Sequence, residues 1–208
     1  MQEVLLRFID NLQNTSPLEY IAVVAGIISV WFSKKENILV FPVGLVNTIA
    51  YVFISVDGAL FGEASVNFYY TIMSIYGWIL WSRRNVKNEK VLRITFSTGK
   101  EWVHQLLFFL FFYISIYFAL TYLKTVFYAN TIPGLDAFAS AAAFTGMWLM
   151  ARKKVESWYW WIITNITAIP LYFIKDYVLT SVYYFILLIL AVAGLMAWKQ
   201  KAKRHGSS

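Results

Sequence analysis

The 208 residues are 60% apolar, 19% aromatic and only 14% charged, with a mean hydropathy of +0.59, which excludes an ordinary water-soluble domain because too few polar residues remain to cover its surface. Cysteine is absent, which excludes disulfides, thiolate metal sites and a cysteine nucleophile. A net charge of +7 does not indicate nucleic-acid binding here, because the basic residues lie in short runs between apolar segments and not along one face.

In chain order, residues 1–16 read as a short amphipathic segment carrying Glu3, Arg7 and Asp10 among Val4, Leu5, Phe8 and Leu12, without the basic start and small-residue cleavage site of a signal peptide. A spanning helix needs about 20 mostly apolar residues. Seven segments qualify: 17–33, 38–56, 63–82, 102–128, 134–151, 158–174 and 178–198. Runs such as Tyr183 through Leu190 are apolar on every face, so barrel strands, which alternate, are excluded. The expected fold is an all-α integral membrane protein with a three-helix bundle at 17–82, a loop and linking helix at 83–133, a second three-helix bundle at 134–199 and a tail at 200–208. Within the loop, Leu92 to Phe96 reads as a short strand or as a segment lying on the membrane.

The basic residues predict orientation. Fifteen of them, in the runs near Lys34, Arg83, Arg152 and Lys199, fall on one side of a seven-helix arrangement, and only Arg7, Lys124 and Lys175 on the other. The positive-inside rule then expects an N-terminus outside and a C-terminus in the cytoplasm, in a bacterial inner membrane. The two triplets also resemble each other. Trp31 and Trp148, Gly77 and Gly194, and Trp81 and Trp198 are each 117 residues apart, while Asn47 and Asn165, and the pairs Lys34-Lys35 and Arg152-Lys153, are 118 apart. One linking helix between triplets makes the repeat parallel, and such repeats place a substrate site between the bundles near mid-membrane.

Catalytic signals are few. His104 and His205 lack ligand partners at metal spacing, and Gly99-Lys100 lacks the rest of a phosphate loop. The chain is therefore read as no enzyme, with no cofactor or metal. Polar and aromatic side chains within the spans remain. Trp158, Trp161 and Asn165 share one face of the sixth segment, where indoles offer stacking surface and an amide offers donor and acceptor. Asn67, Tyr70, Ser74 and Gly77 form a polar stripe on the third segment, and Asn47 with Gly44 and Tyr51 another on the second. The candidate substrate-contacting residues are Trp161, Asn165, Trp158, Asn47, Asn67, Tyr70 and Tyr184. Alternatively, the tryptophans form an interfacial belt and the amides join helices to one another. Glu19, Glu63, Asp136 and Asp176 fall at helix ends opposite the basic runs, and the lack of an ionisable group at mid-membrane favours passive transport of the solute.

The stretch from Trp158 through Asn165 resembles the Trp-x-x-Trp-x-x-x-Asn signature of the PnuC family of nicotinamide riboside transporters. Pro42 to Asn47, Ser74 to Trp78 and Gly194 to Trp198 also resemble that family's motifs, and the similarity runs from Glu19 to Trp198. The resemblance implies facilitated diffusion of nicotinamide riboside, trapping of the solute by a cytoplasmic kinase, a core like that of SWEET transporters, and admits a homotrimer. It implies that Trp161 and Asn165 hold the solute, with Trp158 and Asn47 nearby. Asn67 stands where the family often has Gln and Phe41 where it has Trp, so related carriers of thiamine or riboflavin stay as alternatives, and a non-transporting scaffold or receptor is the alternative of another class.

Overall fold

The structure is a computed structural model that describes residues 16–57, 61–86, 90–127, 132–175 and 177–206. The expected N-terminal amphipathic segment, apart from Ser16, lies outside the described residues, as do Lys87 and Asp176. Among the described residues there are seven helices and no strand: α1 (Pro17–Lys34), α2 (Val40–Asp57), α3 (Phe61–Ser82), α4 (Gly99–Phe127), α5 (Pro133–Ala151), α6 (Ser157–Ile174) and α7 (Val178–Gly206). Four of these, α1, α2, α4 and α7, are long and apolar enough to span a bilayer by length and composition alone. The remaining three carry more of the small, polar and aromatic residues that face other helices, including Asn67, Ser74, Thr145 and Asn165.

Two helix ends differ from the predicted ones by three residues or more. α4 starts at Gly99 and not at 102 because Thr98 and Glu101 form a reciprocal cap: Thr98 N donates to Glu101 Oε2 at 2.8 Å and Glu101 N to Thr98 Oγ1 at 3.3 Å. α7 continues past Trp198 because its basic tail docks instead of dispersing. Lys199 Nζ lies 5.1 Å from the Tyr159 ring centre, and Lys201 donates to the Lys35 carbonyl at 3.3 Å and to Glu36 Oε2 at 3.1 Å.

Helix contacts fit the three, one, three arrangement. α1 packs on α2 and α2 on α3, α5 packs on α6 and α6 on α7, and α4 lies on α5. The two groups meet where α1 touches α7 and α3 touches α5. α4 has none of its spanning window buried within the chain, and Phe111 and Phe118 are exposed, as expected of side chains that face lipid.

The core contains the same nest twice. In the first bundle the Phe41 ring meets Trp81 edge-on at 5.0 Å, in a space that Gly77 leaves open. In the second, Trp158 meets Trp198 edge-on at 5.6 Å, in a space left by Gly194. Each of these three residues has its counterpart 117 positions later. A side chain at either glycine would run into the aromatic ring, so backbone and ring approach closely only because Cβ is missing. The two nests join through Trp81 and Trp198, whose rings are 6.0 Å apart.

The loop before α4 is a structural strap. Thr95 N donates to the Lys153 carbonyl at 3.2 Å and Val155 N to the Thr95 carbonyl at 3.1 Å, a single parallel bridge that buries Ile94. Beside it the buried Glu156 accepts from the Ser97 backbone at 3.0 Å and hydroxyl at 2.7 Å, Gln105 donates to that hydroxyl at 2.8 Å, and Trp160 Nε1 donates to Gln105 at 3.2 Å. These bonds fix the start of α4 to α6.

Candidate functional site

The interface between the bundles has a basic end, a middle and an acidic end. At the basic end α1 and α5 each stop with a residue in the left-handed conformation, Glu36 (φ 59°) and Lys153 (φ 53°), which sets the repeat offset there at 117 and not the 118 read from the basic pairs. These two residues meet. Lys153 Nζ lies 2.6 Å from Glu36 Oε1 and also donates to the Leu92 carbonyl at 3.1 Å, with the Trp81 ring centre 4.6 Å away. Lys201 and Lys90 approach the same carboxylate at 3.1 and 3.8 Å. Burial alone would raise the Glu36 carboxyl, but the hydrogen bond and charge of Lys153, with Lys201 and Lys90, outweigh it and hold it below the usual carboxylate range. Burial in turn pulls Lys153 below the usual lysine range, against the opposing effect of Glu36.

Three further bonds close this end. Ser33 Oγ donates to Met150 Sδ at 2.9 Å, and these two are again 117 residues apart. Trp81 Nε1 donates to the Ala151 carbonyl at 3.1 Å, and Trp198 Nε1 to the Ser33 carbonyl at 3.0 Å. Each bundle thus donates to a carbonyl at the other's helix end; that of Ser33 also accepts from Glu36 N at 2.9 Å. A cleft of about 450 Å³ lined by Lys35, Glu36, Arg84 and Lys153 lies at this end.

In the middle, Asn47 donates from Nδ2 to the Ala22 carbonyl at 2.7 Å and lies within hydrogen-bonding reach of the Tyr183 hydroxyl. Gly26 brings α1 against both groups. On α6 the Trp161 indole lies against Gly146 and 6.1 Å from the Tyr70 ring. One turn further along α6, Asn165 is 2% exposed, and its carboxamide offers both a donor and an acceptor to a polar solute.

At the acidic end, Lys175 Nζ pairs with Asp136 at 2.7 Å. The Tyr172 and Tyr184 rings stack at 5.2 Å and 16°, with their hydroxyls within hydrogen-bonding reach, and Tyr183 lies 5.6 Å from Tyr184. Glu63, in the first turn of α3, lies within electrostatic range of Tyr51, Tyr172 and Tyr184, and Tyr70 within range of Tyr183 and Tyr184.

Of the residues singled out from sequence, Trp161, Asn47, Tyr70 and Tyr184 line this interface, and Asn165 is buried on α6 one turn beyond Trp161. The Asn67 amide donates at 3.0 Å to the Glu63 carbonyl of its own helix, and Trp158 is 1% exposed within the nest at the basic end. Sequence reading passed over Tyr172 and Tyr183 and left Glu63 at a helix end. Tyr172 and Tyr183 stand among other aromatics in apolar runs, and only the crossing of α6 and α7 brings them together.

The profile of the family described as "Nicotinamide mononucleotide transporter" matches residues 16–200. The chain belongs to this family. That membership makes it a multi-pass membrane transporter and not an enzyme. Among relatives, the family member of Escherichia coli K12, "Nicotinamide riboside transporter PnuC", is 23% identical over 216 residues, covering 91% of this chain and 88% of that one. Its Neisseria mucosa counterpart of the same name is 24% identical, covering 90% and 74%. The "Riboflavin/roseoflavin transporter RibM" of Streptomyces davaonensis is 22% identical, covering 87% and 84%. The crystal structure titled "Vitamin B3 transporter PnuC" superposes with a TM-score of 0.73 at 22% identity, covering 97% of this chain and 89% of that one. The family fold is thus shared over nearly the whole length.

Proposed function

We propose that this transporter carries nicotinamide riboside into the cell by facilitated diffusion for NAD synthesis, the two bundles rocking around a site made by Trp161 and Asn165, with Asn47, Tyr70 and Tyr184 completing its walls. The observation that carries the reading is the Trp161 indole set 6.1 Å from the Tyr70 ring of the other bundle, with the buried Asn165 carboxamide one turn away on the same helix. An indole face stacks on a pyridine ring, and a carboxamide can both donate to and accept from the nicotinamide amide. The basic end faces the cytoplasm, as the lysine and arginine runs favour, so the contacts around Glu36 and Lys153 form the inner gate. A kinase that phosphorylates the riboside holds it inside, and the carrier assembles as a homotrimer. The nucleoside is favoured over the mononucleotide because the cation beside the tyrosine wall among the described residues, Lys175, is committed to Asp136, and an unpaired phosphate is costly to bury.

The test is uptake of labelled nicotinamide riboside by purified protein in liposomes. Uptake that equilibrates without an ion gradient and accelerates when the lumen holds unlabelled riboside is expected. No flux above empty liposomes overturns the reading. The likeness to the riboflavin carrier favours a second reading, transport of another vitamin such as riboflavin or thiamine, which competition in the same assay separates.

A further inference from the structure

The acidic end holds a carboxyl group that no ion pair of the described residues completes. No described lysine or arginine comes within 4.0 Å of the Glu63 carboxylate. Lys175 is within electrostatic range, but its ammonium is taken by Asp136 at 2.7 Å. Glu63 is half-buried, and so are the three tyrosines within its electrostatic range, Tyr51, Tyr172 and Tyr184. A carboxyl withdrawn from water without a partner is driven toward its neutral form, and an arriving cation favours its charged form.

The surrounding rings suit the same visitor. Aromatic faces attract cations, more strongly when water is excluded. The Tyr172 and Tyr184 rings are stacked, Tyr183 is tilted against them, and Tyr70 continues the wall to Trp161. One cation of the chain already uses this surface, since Lys175 Nζ lies 5.7 Å from the Tyr172 ring centre. The wall leads from Glu63 toward Trp161 without a basic side chain intervening among the residues named.

We infer that the solute is recognised as a cation, with Glu63 supplying the counter-charge and the faces of Tyr172, Tyr184 and Tyr70 the path to Trp161. The inference rests on the transport reading above and narrows it to a substrate class: heteroaromatic rings with a permanent positive charge. Nicotinamide riboside qualifies because its ring nitrogen is quaternised by the glycosidic bond. Thiamine qualifies through its thiazolium. Riboflavin, which is neutral, does not, and neither does a nucleotide whose phosphate outweighs the ring charge. Glu63 is thus a specificity-determining residue, placed to attract the charged ring before Asn165 and Trp161 hold it.

Binding to the purified full chain in detergent, measured by calorimetry, tests this with matched ligands: nicotinamide riboside, its neutral dihydro form, thiamine and riboflavin. The wild type should prefer the charged riboside to the dihydro form by about tenfold or more. Glu63→Gln should weaken the charged riboside by about tenfold while leaving the dihydro form nearly unchanged, and Glu63→Asp should recover part of the loss. Retained binding of the neutral ligand shows that the variant is folded; if Glu63→Gln does not fold, Tyr184→Leu must narrow the same ratio. Equal wild-type affinity for both ribosides, or an equal loss for both in the variant, overturns the inference. Thiamine binding with the same Glu63 dependence, and no riboside binding, upholds it and removes nicotinamide riboside as the substrate. Riboflavin as the tightest ligand removes the charge inference and leaves a vitamin carrier standing. Binding of none of these ligands overturns both.

Discussion

Glu36 and Lys153 occupy the same position in the two halves of the chain, 117 residues apart, and each is the other's closest ion-pair partner at 2.6 Å. The same offset relates Ser33 to Met150, which also touch, and Trp81 to Trp198. The repeat is therefore visible both as a spacing and as direct contact between equivalent residues, all at the basic end.

The Lys153 side chain is 1% exposed and that of Glu36 13%. Removing one partner strands the other, which costs about 3 kcal/mol in such settings. Glu36→Gln should therefore lower the melting temperature of the purified protein. The double variant Glu36→Gln with Lys153→Met should recover part of the loss, because no buried charge is left stranded and the other two partners of Glu36, Lys201 and Lys90, reach water. Losses that simply add would show that the pair is not coupled.

Acid should act on the same contact. The Glu36 carboxyl is held below its ordinary value of 4.5, so its contribution is fully present above that value and is lost as pH falls through the lower, folded value. Melting temperature should stay flat from neutral pH down to the ordinary carboxylate range and drop below it, more steeply in wild type than in Glu36→Gln. Parallel acid limbs for the two proteins would remove Glu36 from the effect.

Gly77 and Gly194 should tolerate no side chain. Their absent Cβ positions are filled by the Phe41 and Trp158 rings, whereas nothing lies within 4 Å of a Cβ at Gly99 or Gly134. Gly77→Ala and Gly194→Ala should each destabilise by about 2 kcal/mol through overpacking, and Gly99→Ala and Gly134→Ala should be close to neutral. Equal melting temperatures across the four would mean that the nests relax freely.

Trp158 should prove separable from substrate binding. Its indole N–H is buried without a partner, and its counterpart in the first bundle is Phe41. Trp158→Phe removes an unsatisfied donor and keeps an aromatic ring in the nest. Stability and riboside affinity should both stay near wild type, whereas Asn165→Ala and Trp161→Ala should each weaken binding by about tenfold. A large affinity loss in Trp158→Phe would return that residue to the site.

Helix number and the repeat were legible because apolar runs of spanning length and recurring tryptophans and glycines are one-dimensional signals. The Thr98 and Glu101 cap was legible too, as a Thr-x-x-Glu pattern, yet the predicted start of α4 followed hydropathy and fell three residues late. The helical tail of α7 was not legible. Lys199 and Lys201 look solvated by composition, and only the position of Tyr159 and Glu36 beside them keeps the turn wound. At the candidate site, Trp161 and Asn165 were singled out because they share one helix face, and Tyr70 and Tyr184 were singled out as well. Tyr172 and Tyr183 were passed over because a tyrosine facing lipid headgroups and one packed between helices have the same sequence neighbours.

The meeting of Glu36 with Lys153 has a consequence for how such a protein can be assembled. Were the halves two separate and identical subunits related by a two-fold axis, the residue at this place would confront its own copy, and either charge would repel its twin. Fusion of the halves into one polypeptide lifts that restriction. It lets an acid stand on one side and a base on the other, so that the seam of the carrier is fastened by an attraction that no self-paired half could form.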